Sequence, residues 1–359
     1  MRASTKAVLA ISGGAALLAV AGCDTVGYYA RQARGHLEIV GASKPVADWL
    51  ADPATAPRLR ERLALSQRIR DFAVAELGEP ENASYRRYAA LGRGAALWNV
   101  VAAPELSLAP KTWCFAVVGC VAYRGHYDRA RADAEAAALR AEGWDSMVYP
   151  VAAYSTLGRL PFDRFADPLL DTFVFQPEAD LARLVFHELA HQIAFAAGDT
   201  EFNESYATAV ETIGVRRWLA GDASADARAA DTRLHARRDD FRALTASIRD
   251  ELAALYAGPL DEAGKRAGKA AVLARLRAEH ARLKAERWNG DPSYDAWIAR
   301  ANNAAFAIQS SYTALVPAFE RLFEREGGDF ARFHAEAVRI AALPDRAARR
   351  AALGVPPAP

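Results

Sequence analysis

The sequence predicts an α+β fold that is mostly α, with a small sheet in the N-terminal half and long helices in the C-terminal half. Three observations predict it. Apolar residues recur at helical spacing through most of the chain, short β-branched and aromatic runs with Pro and Gly breaks gather between Trp98 and Gly158, and beyond Asn203 nearly everything is helical in pattern. With 359 residues, 52% of them hydrophobic, the chain is long enough to bury its own core. Lys+Arg (45) nearly cancels Asp+Glu (44), so charge gives no reason to expect a nucleic-acid partner. No internal repeat is visible, and oligomeric state is not legible.

The first residues carry a basic start at Arg2 and Lys6, then an apolar run from Ala7 to Ala19 that is short for a membrane span, closed by Val20-Ala21-Gly22-Cys23. This resembles a bacterial lipoprotein signal. The resemblance implies that residues 1–22 are removed, that Cys23 carries lipid, and that the protein sits on the periplasmic face of the cell envelope. Asp24 resembles an inner-membrane retention mark. A plain secretory signal or an uncleaved anchor is the alternative. Residues 23–44 read as a tether with a short strand at Leu37-Glu38-Ile39-Val40, residues 45–350 as a single domain, and residues 351–359 as a disordered tail.

The elements follow in order. The stretch from Ala51 to Gly78 opens with Asp and Pro turn chemistry, spaces Leu59, Leu63, Ile69, Phe72 and Leu77 as a helix does and stops at Gly78, and Trp98 to Val121 reads as two or three short strands. Cys114 and Cys120 lie there. In an oxidising compartment so close a pair reads as a structural disulfide, against half of a metal site or two buried thiols. Tyr127 to Gly143 returns to helix, and the segment from Asp145 resumes an extended pattern, a strand–helix–strand arrangement. "YPVAAYSTLG" (149–158) is a candidate edge strand for pairing with an extended peptide, or else a core strand. One more extended segment precedes Pro177, and the helix after it is expected to run to Gly198. The charged stretches 228–249 and 265–287 read as solvated faces of long helices in an antiparallel hairpin. His126, His235, His280 and His334 lack ligand-like spacing and read as surface residues.

The helix after Pro177 contains His187-Glu188-Leu189-Ala190-His191, an H-E-x-x-H pattern. Residues four apart share a helix face, so two imidazoles can meet one cation, and the intervening glutamate can reach a water beside it. Zinc in such a site acidifies water and polarises a carbonyl while the glutamate moves the proton. Glu188 is thus the candidate base and His187 and His191 are candidate ligands. The third ligand is expected from the next helix, where Glu204 leads Glu211, which alternatively accepts an imidazole N–H, and Glu201 is a distant third. Asn203-Glu204 resembles the second motif of the glutamate-ligated zincins, which implies a zincin-like fold. A hydrogen-bond donor for transition-state charge is sought among Tyr154, Tyr206 and Tyr312, with Tyr312 preferred because Asn302-Asn303 opens its helix.

The lipoprotein signal together with Gly119-Cys120, "YRGHYDRARADAEAAALRAEGWD", "AAYSTLG", "DPLLDTF", "FHELAHQ", "FNESYATAVE" and "VPAFERL" resembles a bacterial family of aminopeptidase lipoproteins. The likeness covers most of the mature chain. It implies a zinc metallopeptidase acting on peptides, with His187, Glu188, His191 and Glu204 at its centre. One departure is visible: "STLGRLPFDRFADPLL" is longer and more basic than the tryptophan-containing turn expected there. A metal-stabilised envelope scaffold with no catalysis is the alternative function.

Overall fold

In the computed structural model, which describes residues 26–115, 119–153, 156, 163–311 and 314–356, helix α1 spans residues 26–42. The segment expected as a tether is therefore helical, and Leu37-Glu38-Ile39-Val40 is its last part rather than a strand. Ile39 and Val40 turn into the core while Leu37 stays exposed, an amphipathic arrangement that a strand reading of four residues cannot distinguish. Cys23 lies outside the described residues.

Strand β1 (Lys44–Pro45) and helices α2 (Val46–Ala51) and α3 (Pro57–Leu77) follow. Pro57 opens α3 where its missing N–H costs nothing, and Gly78, at φ 64°, closes it. The strands β2 (Arg87–Ala89), β3 (Leu97–Pro104), β4 (Trp113–Phe115), β5 (Gly119–Val121) and β6 (Arg124–His126) precede α4 (Arg129–Ala141), β7 (Trp144–Val151) and the two-residue β8 (Leu169–Leu170). A three-stranded antiparallel sheet is ordered β6-β3-β7, and α4 crosses from β6 to β7. Alternation along β3 explains its two coats: Val100 and Ala102 pack on α4, and Val101 packs with Ala304, Ala305 and Ile308 on the other face. Cys114 and Cys120 face each other across β4 and β5 and are joined by a disulfide. A smaller sheet, β1-β2-β8, pairs β2 parallel with β8.

Strand β7 lies at a sheet edge, where Asn302 donates to Ser146 O (3.0 Å) and Arg300 to Val148 O (3.2 Å); just past its end, Thr172 donates to Ala152 O (2.6 Å). Of the candidate edge strand 149–158, the described start pairs with β3 (Tyr149 with Asn99, Val151 with Leu97), and Ala152 O is taken by Thr172. Residues 154–155 and 157–162 lie outside the described residues.

The remainder is helical: α5 (Glu178–Ala190), α6 (Thr200–Ala220), α7 (Ala225–Ala257), α8 (Glu262–Glu286), α9 (Asp295–Arg300), α10 (Asn303–Ser311), α11 (Val316–Arg325), α12 (Phe330–Ala341) and α13 (Arg346–Ala352). Helices α7 and α8 form the expected hairpin around Phe241, Ile248, Leu252 and Leu276. The main core gathers α3, α5, α6, α11 and α12. Gly214 of α6 makes the central crossing close: a Cβ there would meet Leu77 Cδ1 at 2.7 Å and Phe186 Cδ2 at 2.9 Å.

Two further expectations are corrected. Of the tail expected to be disordered, Ala351 and Ala352 complete α13 and Leu353 is buried, while residues 357–359 lie outside the described residues. Of the four histidines read as surface residues, His126, His280 and His334 are buried and His235 alone is exposed. Each buried ring faces a polar partner: His126 meets Glu135, His280 lies near Asp295, and His334 is held between Leu77 O and Tyr206.

Candidate metal centre and cleft

Helix α5 buries Leu181, Ala182, Val185, Phe186 and Leu189 and leaves Arg183, Leu184, His187 and Glu188 half-buried on the opposite side. Its first turn is pinned by Glu178, whose carboxylate accepts from Trp218 Nε1 (3.1 Å) at the far end of α6. The helix ends at Ala190, earlier than expected. His191 is its C-cap residue, and the apolar stretch that follows forms a turn and a loop to Gly198. The cause is tertiary. The Asn203 side chain, 4% exposed, accepts from Ala196 N (2.7 Å) and donates to Ala196 O (2.9 Å), so it clasps this loop onto α6. Gly119 of the disulfide hairpin closes the loop's outer side, where a Cβ would lie 2.7 Å from Gly198 N.

That clasp sets α6 so that its next residue faces the two imidazoles. His187 Nε2 lies 3.2 Å from His191 Nε2 and 3.2 Å from Glu204 Oε2, and His191 Nε2 lies 3.7 Å from Glu204 Oε2. His187, His191 and Glu204 form the one candidate ligand group of three or more among the described residues. Tetrahedral zinc with bonds of about 2.0–2.1 Å separates its ligand atoms by roughly 3.3–3.4 Å, so the triangle fits such an ion with little movement. Two imidazole nitrogens facing each other this closely need a cation or a proton between them.

Glu211, two turns beyond Glu204, is placed differently. Its Oε2 lies 3.0 Å from His187 Nδ1, so it accepts that N–H and leaves Nε2 as the lone-pair nitrogen turned to the triangle. Glu201 is drawn away to Arg346 and Arg350. Electrostatics match the geometry. Burial works against charge on His187, yet the Glu204 and Glu211 carboxylates outweigh it and hold its pKa well above the usual value. Burial likewise pushes Glu204 up, and the His191 and His187 rings overcome this and hold it at about 2. The pocket favours positive charge between these side chains. Glu188 stands apart from the triangle, with its carboxyl pushed up by burial against the pull of both imidazoles. Glu211→Gln is expected to weaken metal affinity about 10- to 100-fold, because the His187 ring loses its charged acceptor. Competition against a calibrated chelator measures this.

His187, Glu188 and Glu211 line a cleft of about 520 Å³ with Gln176, Asp180, Arg183, Leu184, Arg238 and Arg242. Of the tyrosines singled out in the sequence, Tyr206 is fully buried and gives its hydroxyl to His334 Nδ1 (2.7 Å), away from the triangle. Tyr154 and Tyr312 lie outside the described residues. Tyr123, which sequence reasoning missed, is a tyrosine that the site's charges reach: burial raises its phenol, and the Glu204 and Glu188 carboxylates raise it further. It lies between β5 and β6, in an extended segment whose local pattern carries no sign of this role. Glu79 was missed too. It is 3% exposed just beyond α3, and burial keeps its carboxyl well above the ordinary range although Arg70 and His187 pull it down.

No curated protein and no solved structure matches the chain. Residues 27–353, nearly the whole of the described body, match the family described as "Putative aminopeptidase", and the chain belongs to that family.

Proposed function

We propose that the protein is an envelope-anchored zinc metallopeptidase, aminopeptidase-like and built on a zincin-like helix pair. The observation that carries this reading is the meeting of His187, His191 and Glu204, with His187 and the neighbouring Glu188 lining one cleft. The two imidazoles and Glu204 would hold the ion, and zinc bound there lowers the pKa of water and polarises a carbonyl. Glu211 fixes the His187 ring through Nδ1. Glu188 takes the proton of the attacking water and returns it to the leaving amine. Tyr123, whose phenol feels the Glu204 and Glu188 charges, would offer its O–H as a hydrogen-bond donor to charge that develops on the substrate oxygen. The leader ending at Gly22-Cys23 supports lipid attachment at the periplasmic face of the inner membrane, with peptides as the substrate class.

The test is cleavage of a mixed peptide library by chelator-stripped protein, with and without added zinc. Cleavage that returns with zinc is expected. Stoichiometric zinc without cleavage contradicts the peptidase reading and favours a metal-stabilised scaffold.

A further inference from the structure

We infer that Arg242 of α7 anchors a substrate carboxylate, so that the preferred peptides carry a carboxylate close to the bond that is cut. The inference deepens the peptidase reading above and rests on it. The cleft beside the triangle is lined by three guanidinium groups, and they are not equivalent. Arg183 is taken by Asp231 (2.8 Å), and Arg238 is taken by Asp180. Arg242 has only a 3.9 Å contact, with Asp239 on its own helix, and both side chains are about half exposed (53% and 54%). A pair so open to water holds Arg242 weakly. Its fork is the cleft's one weakly committed cationic group among the described residues.

The acids of the same cleft are spent. Asp180 pairs with Arg238, Glu211 accepts from His187, and Glu188 is the proton carrier. Among the described lining residues the carboxylates are thus already engaged, whereas a guanidinium stands ready for a carboxylate in bidentate geometry. Helical spacing extends this face. Arg238, Arg242 and Arg249 follow one side of α7, and Arg242 and Arg249 also line a second cavity of about 750 Å³. Arg242 stands where the two spaces meet.

The experiment compares zinc-loaded wild type, Arg242→Gln and Arg242→Lys on matched peptides ending in a free acid or an amide, and on amides with one internal Glu. Wild type is expected to prefer the carboxylate-bearing peptides by about 10- to 100-fold in kcat/KM, chiefly through KM. Arg242→Gln is expected to erase the preference, and Arg242→Lys to keep part of it through charge alone. Rescue of the amide by internal Glu assigns the carboxylate to a side chain; preference for the free acid alone assigns it to the C-terminus. Calorimetric binding of the acid and amide to Glu188→Gln protein should show the same ratio without turnover. Equal handling of acid and amide by wild type, or a preference that survives Arg242→Gln, overturns the inference. If neither peptide is cut, the peptidase reading fails while the binding comparison still decides the role of Arg242.

Discussion

Glu188→Gln is expected to lower kcat for peptide cleavage by about 10²–10⁴-fold while the protein retains its zinc, its fold and most of its peptide affinity. The amide keeps the size of the carboxylate but cannot take a proton at neutral pH, so the variant removes one step and little else. Retention of zinc follows from geometry, since Glu188 stands outside the triangle of His187, His191 and Glu204. At 1.36 kcal/mol per tenfold, the loss corresponds to about 3–5 kcal/mol of transition-state stabilisation. Steady-state kinetics with elemental analysis of the same preparation measures both quantities. Undiminished cleavage would remove Glu188 from the reaction.

Glu204→Ala is expected to abolish cleavage by a different route, through loss of the ion itself. The side chain is 8% exposed and, among the described residues, is the one carboxylate grouped with both Nε2 atoms. Without it, two neutral imidazoles remain as ligands, and structural and catalytic zinc sites use three or four protein ligands. The variant should therefore bind zinc far more weakly than wild type and weaker than Glu211→Gln, whose deletion disturbs orientation alone. This ranking separates the roles of the two glutamates, and a chelator titration of the three proteins reads it directly. Equal affinity in Glu204→Ala and wild type would move the third ligand elsewhere.

Much of this site was legible because its signals are local. Two histidines four apart fall on one helix face by the geometry of the α-helix alone, and Glu204 follows one turn into the next helix, which opens at Thr200 rather than at Asn203. Helical punctuation was equally local, and Gly78, Gly258 and Gly327-Gly328 all mark ends or connections of helices. What escaped depends on contacts between distant segments. The stretch after His191 is apolar and helix-compatible, and only the Asn203 clasp on Ala196 shows why it turns. Tyr123, between β5 and β6, feels the site's carboxylates from a segment far from them in sequence, and the buried state of His126, His280 and His334 goes with partners distant in sequence or on other elements. The charged face of α7 was read as solvated. That is true of Arg233, but packing of α7 beside α5 brings Arg238 and Arg242 to the cleft. Periodicity fixes which residues share a face; it does not name what the face meets.

The central claim is that His187, His191 and Glu204 grip one divalent ion. The most direct test is X-ray absorption at the zinc edge on protein loaded with one equivalent of zinc, in wild type and His191→Ala. The account predicts one tightly bound zinc per wild-type chain with two imidazole ligands in its shell, and a shell with one imidazole and much weaker binding in the variant. A wild-type shell without histidine, or no stoichiometric zinc at all, would contradict it.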